Sequence, residues 1–150
     1  MRENLSATRA AELLMQKDNI TLLCHRRPDG DTVGSAFALY YALRELGKEV
    51  RVLCADALPK QYDYLYGDYT PSRVLDWPVE YVVAVDVATA GMLGGLEEKY
   101  GHMVDLCIDH HVSNSDYAGL TRPACGRRPG PVPSRSPPSL RPSGCPFPAK

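Results

Sequence analysis

No Cys-x-x-Cys pair occurs anywhere in the chain, which argues against a closed zinc site. No apolar run approaches the roughly 20 residues needed to cross a bilayer, so no membrane segment is expected. No secretory leader is visible and the five cysteines are an odd number; both point to a reducing cytoplasm. Cys24, Cys54 and Cys107 stand in apolar, strand-like runs, where cysteine behaves as a small buried hydrophobe. Acidic residues are missing from 121–150, which carry five arginines, one lysine and nine prolines. That segment has a charge of +6 and leaves −7 on residues 1–120, since the whole chain sums to −1. An acidic body lacks the global basic footprint of a nucleic-acid binder, although a metal site takes phosphates without one.

What remains is enough, at 150 residues, for one modest domain with a real core. Residues 6–17 predict a short amphipathic helix with Ser6 as N-cap. Residues 20–24 are a short apolar run and predict a buried strand. Ala36, Leu39, Tyr40, Leu43 and Leu46 recur at helical spacing, so 32–46 predict a helix that Gly47 stops. Residues 49–54 predict the next strand, and strand–helix–strand with a short return implies a parallel pair. Residues 59–66 predict a helical turn or two after Pro59. Tyr62, Tyr64, Tyr66 and Tyr69 either line a cleft or seal a sheet edge. Residues 81–87 and 105–109 predict further strands, joined by a glycine-rich link and a short helix over 95–100. The fold class is α/β, with an open, parallel, doubly wound, Rossmann-like sheet.

Polar residues gather at the ends of these strands. After the first comes His25-Arg-Arg-Pro-Asp29-Gly-Asp31-Thr-Val-Gly34-Ser35. A histidine and two aspartates in one tight loop suit Mn²⁺ or a similar divalent ion. Gly34 and Ser35 stand where a helix start offers N–H groups to an anion. The plainer reading of this loop is a polar turn capped by Asp31. Asp86 ends the strand at 81–87, and a carboxylate there is costly unless solvated, paired or bound to a cation. Asp109-His110-His111 ends the last strand. Ligands of open α/β sheets bind beyond the carboxyl ends of the strands, and parallel topology puts all these groups at one edge.

This series resembles the motifs of the DHH phosphoesterase superfamily over roughly residues 5–120. With His111-Val-Ser-Asn114, its wording is most similar to the oligoribonuclease and 3′-phosphoadenosine 5′-phosphate phosphatase subgroup. The resemblance implies two Mn²⁺ ions that activate a water against a phosphoester. His25 and Asp29 would bind one ion, Asp31 and His110 the other, and Asp86 would bridge them. Asp109 would orient a histidine, and His111 would contact the substrate phosphate or move a proton. Ser35 and Asn114 would meet the substrate. Short RNA or DNA oligonucleotides and phosphorylated nucleotides are the implied partners, with a homodimer left open.

The chain departs from the family after Leu120. Proline at this density blocks helices and ladders, so 121–150 predict a disordered or frameshift-like tail. A catalytic domain over 1–120, lacking a smaller C-terminal substrate domain and a final strand, is the expected organisation. The family's fourth-motif aspartate is not found, because Asp116 lies too near Asp109-His-His. Weak turnover is therefore expected, and the alternative function is a non-catalytic metal- or phosphate-binding remnant.

Overall fold

The structure is a computed structural model that describes residues 3–67, 69–71, 78–114 and 120–123. In chain order its elements are β1 (Glu3–Asn4), α1 (Ala7–Gln16), β2 (Ile20–Cys24), α2 (Gly30–Glu45) and β3 (Val50–Leu53). They continue with α3 (Asp63–Tyr66), β4 (Tyr81–Val85), α4 (Glu97–Tyr100), β5 (Leu106–Asp109) and β6 (Leu120–Pro123). The strands form one sheet in the order β1-β6-β5-β4-β2-β3, and every pairing is parallel. Every residue of β2 and β4 is buried, as expected of strands covered on both faces.

Alternation along the strands divides the core in two. Ile20, Leu22, Val83 and Val85 pack with Val33 and Phe37 of α2 and with Leu14 of α1. Leu23, Val82, Ala84 and Cys107 face the other way, against Leu93, Leu96 and Tyr100. The glycine-rich link thus closes the second face, as a 3-10 segment (Ala90–Leu96) followed by α4.

Local chemistry explains the boundaries. Ser6 caps α1 by accepting from the Arg9 N–H at 3.1 Å. Gly47, at φ +76, ends the α2 segment while Lys48 N–H reaches Leu43 O at 3.1 Å. Helix α2 begins two residues before the predicted start, because Asp29 rather than Asp31 is its N-cap. Asp29 Oδ1 accepts from the Asp31 and Thr32 N–H groups at 3.0 and 3.2 Å.

The sheet does not stop where composition changes. β6 runs to Pro123, pairs with β5 on one side and gives β1 its partner on the other. β5 is therefore paired on both sides, although the sequence suggested that a final strand would be lacking. Residues 124–150, with Cys125 and Cys145, and Asp116 lie outside the described residues.

Strand order fixes the place of the site. From β2 the chain turns outward to β3, whereas β4 lies on the other side of β2 and leads on to β5. The order reverses between β2 and β4, and such a switch point opens a crevice at the strand ends. His25 follows one of these strands and Asp86 the other.

Candidate metal centre

Asp86 is the centre of the arrangement. Its residue is 5 % exposed, and its backbone is left-handed at φ +59, a conformation that costs a non-glycine residue energy. Its Oδ1 is buried and makes no hydrogen bond among the described residues. Around that oxygen stand His110 Nε2 at 3.1 Å and His111 Nδ1 at 3.5 Å. The other oxygen, Oδ2, lies 3.8 Å from His25 Nε2. Burial pushes the Asp86 carboxyl above its ordinary pKa, while the three histidines pull the other way.

His25 is held in one orientation. Its Nδ1 is 2.7 Å from the Arg26 carbonyl oxygen. A carbonyl only accepts, so the proton sits on Nδ1 and the Nε2 lone pair faces the carboxylates. Asp29 Oδ1 is 3.7 Å from that nitrogen, too far for a hydrogen bond. Burial disfavours the Asp29 carboxylate, but the Thr32 amide, His25 and the Asp31 amide outweigh it and hold its pKa low. It is charged at neutral pH.

Two groups of donors result, His25–Asp29–Asp86 and Asp86–His110–His111, and in each the ligand atoms lie within 4.8 Å of one another. They share Asp86. A buried carboxylate oxygen without a hydrogen bond, between imidazole nitrogens, fits a bound divalent cation by donor chemistry.

His111 differs from His110. Its Nδ1 is 2.6 Å from Asp109 Oδ1, so the proton there belongs to the Asp109 hydrogen bond. That bond is the main reason its pKa is raised. Asn114 Nδ2 donates to the other oxygen of Asp109 at 2.7 Å. Asn114 thus stands behind Asp109, with at least this part of its amide committed to the carboxylate rather than to a ligand. Asp31 and Ser35 line a cavity of about 270 Å³ together with Asp86, Asp109 and His110. The atoms of Asp31 do not join either donor group among the described residues.

One supporting residue escaped sequence reasoning. Thr32 Oγ1 donates to Val85 O at 3.1 Å and is fully buried, pinning the first turn of α2 to the strand end that carries Asp86. A hydroxyl on the apolar stripe of a helix was its only signal.

Residues 19–127 match the DHH family, N-terminal domain. The chain belongs to the DHH family. A DHH relative from Thermus thermophilus, described as a bifunctional oligoribonuclease and PAP phosphatase, NrnA, is 33 % identical over 106 residues. That alignment takes in 67 % of this chain and 30 % of the relative, so the chain spans under a third of the relative's length. The crystal structure of an exopolyphosphatase-related protein from Bacteroides fragilis superposes with a TM-score of 0.66 at 20 % identity. It covers 75 % of this chain and 37 % of that one, and it supports the fold alone. Among the described residues no helix is long and apolar enough to cross a membrane.

Proposed function

We propose that this chain carries the metal centre of a phosphoesterase acting on short oligonucleotides or nucleoside bisphosphates. Asp86 carries the proposal, because both donor groups share it and one of its buried oxygens has no hydrogen bond. His25 and Asp29 would hold one ion, Asp31 and His110 the other, with Asp86 between. Two divalent ions bound there, Mn²⁺ by preference, would acidify a water and clamp the attacking and leaving oxygens.

The protein's own groups have separate tasks. Asp109 holds His111 by Nδ1, which leaves Nε2 to give a proton to a leaving oxygen or to bind a phosphate oxygen. Asn114 keeps Asp109 in place, and so acts on substrate through His111. Ser35 offers a hydroxyl from the cavity wall to the phosphate. Among the described residues Asp86–His110–His111 has Asp86 as its sole carboxylate, and Asp31, from the wall of the same cavity, would have to move in to complete it, which favours weak turnover by the 150-residue chain. A cytoplasmic setting belongs to the same proposal, in keeping with the burial of Cys24, Cys54 and Cys107 in the core.

The test is Mn²⁺ titration by calorimetry, beside incubation with a short oligoribonucleotide and with 3′-phosphoadenosine 5′-phosphate. Asp86→Asn is the variant of choice, since asparagine tolerates the left-handed backbone and keeps the shape while removing the charge and one acceptor oxygen. Loss of metal binding and of nucleotide release together is the expected result. Metal binding without any release would leave the remnant reading standing. Release unaffected by Asp86→Asn would overturn the proposal.

A further inference from the structure

A second cavity, of about 360 Å³, opens beyond the end of β3, one strand further along the edge that carries His25. Asp56, Leu58, Lys60, Tyr66, Tyr69 and Thr70 line it. We propose that it is a subsite for the nucleoside end of the substrate, a reading that rests on the phosphoesterase proposal above.

The pocket is tied to the metal loop at two points. Asp56 Oδ2 accepts from the Arg27 N–H at 2.8 Å, and Arg27 is itself left-handed at φ +53. A carboxylate from the pocket wall thus fixes the residue two places after His25. On the other side, the Tyr62 hydroxyl lies against Gly30: a Cβ added there would be 3.2 Å from it. Gly30 stands between Asp29 and Asp31, so the tyrosine abuts, through its hydroxyl, the loop that carries both aspartates. Its hydroxyl makes no hydrogen bond among the described residues.

The lining suits a nucleoside. Tyr66 and Tyr69 spend their hydroxyls on backbone, on Pro59 O at 3.2 Å and on Val52 O at 3.3 Å. Both rings also pack against Phe37, at centroid distances of 5.7 and 5.3 Å, and the part of each that lines the cavity offers aromatic surface, to which any base adapts. Asp56 keeps Oδ1 for ribose hydroxyls, and Lys60, without an ion pair among the described residues, suits a phosphate. Adjacent strands are about 4.8 Å apart, so the ends of β4 and β3 are separated by about the span of one nucleotide. A phosphate at Asp86 leaves its nucleoside within reach of the pocket.

Adenosine tests the subsite without any metal, so its outcome is independent of whether the metal centre works. In amide NMR spectra of the whole chain, adenosine is expected to shift residues 54–60 and 66–71. Tyr66→Leu, which keeps apolar bulk and removes one aromatic wall of the pocket, should weaken adenosine on the order of tenfold, the size of one lost base–aromatic stack. Lys60→Ala should weaken adenosine 5′-monophosphate while leaving adenosine unchanged. No shift at 54–71, or binding that survives Tyr66→Leu, would overturn the subsite. Failure of Mn²⁺ to bind while adenosine still binds would sink the metal proposal alone.

Discussion

Asp109 is 3 % exposed and spends both oxygens, one on His111 and one on Asn114. Asp109→Asn would offer His111 a donor or a poorer acceptor and release its ring. Removing such a supporting carboxylate is expected to cost about 10–100-fold in activity, with circular dichroism unchanged. Asn114→Ala should cost less, because the His111 bond survives. At Gly94 the φ is +57 and an added Cβ would lie 3.1 Å from Arg26 Cβ. Gly94→Ala therefore combines strain with a clash and should lower stability by about 1–3 kcal/mol, read as a lower urea midpoint. The Arg26 N–H donates to Met92 O at 2.7 Å, so such a shift would be felt beside His25. His25, Asp86 and Asp109 were legible in sequence because each is a polar residue at the end of an apolar run, and Asp29 because it stands in the Pro-Asp-Gly-Asp turn just after one. Asp29 as the cap was not, since either aspartate of Asp-Gly-Asp satisfies the same local rule. Nor was the hold of Asn114 on Asp109, which depends on how the backbone turns after β5.

Among the elements, β3 ends the sheet and presents an edge. The Tyr69 hydroxyl occupies it, accepting from the Val52 N–H at 2.7 Å and donating to Val52 O at 3.3 Å. Burial, foremost, raises the pKa of that hydroxyl, so its contribution is whole below the unfolded value of about 10 and fades as pH rises beyond it. Tyr69→Phe should cost about 1 kcal/mol and, by baring an edge, promote self-association visible in light scattering. A second tie sits at the turn after α1. Asp18 Oδ1 accepts from the Glu49 and Asn19 N–H groups at 2.7 and 2.9 Å, and these bonds hold its pKa below the ordinary value. Its contribution is present above the unfolded pKa of about 3.9 and is lost as pH falls through the folded one. Asp18→Asn should therefore flatten that part of the acid-unfolding curve while leaving the alkaline limb alone. The strands and α2 could be read from periodicity, which is local. Tyr69 on Val52 could not, since neither residue's neighbours disclose a contact across 17 positions. The sequence reading offered a sheet-edge seal and a cleft as alternatives for these tyrosines, and Tyr69 does both, with its hydroxyl on the β3 edge and the residue in the cavity wall.

At the scale of the molecule, the sheet joins the two ends of the described chain: among the described residues β1 at Glu3–Asn4 pairs only with β6 at Leu120–Pro123. A chain cut after residue 119 should unfold at lower urea than one cut after residue 127, the end of the family match. Equal midpoints would mean that β6 adds no stability. Composition hid this strand, because Leu-Thr-Arg-Pro has neither alternation nor an apolar run, and a backbone ladder needs neither. The all-parallel order also has a consequence in time. No two neighbouring strands can close as a hairpin, so each pairing waits for an intervening connection to be made. Emerging from a ribosome at about 5–20 residues per second, His25 and Asp29 appear early and Asp86 several seconds later, with His110 and His111 later still. On the metal proposal above, a nascent chain holds His25 and Asp29 alone until Asp86 and then His110 and His111 arrive, so neither donor group is complete before the later strands are made.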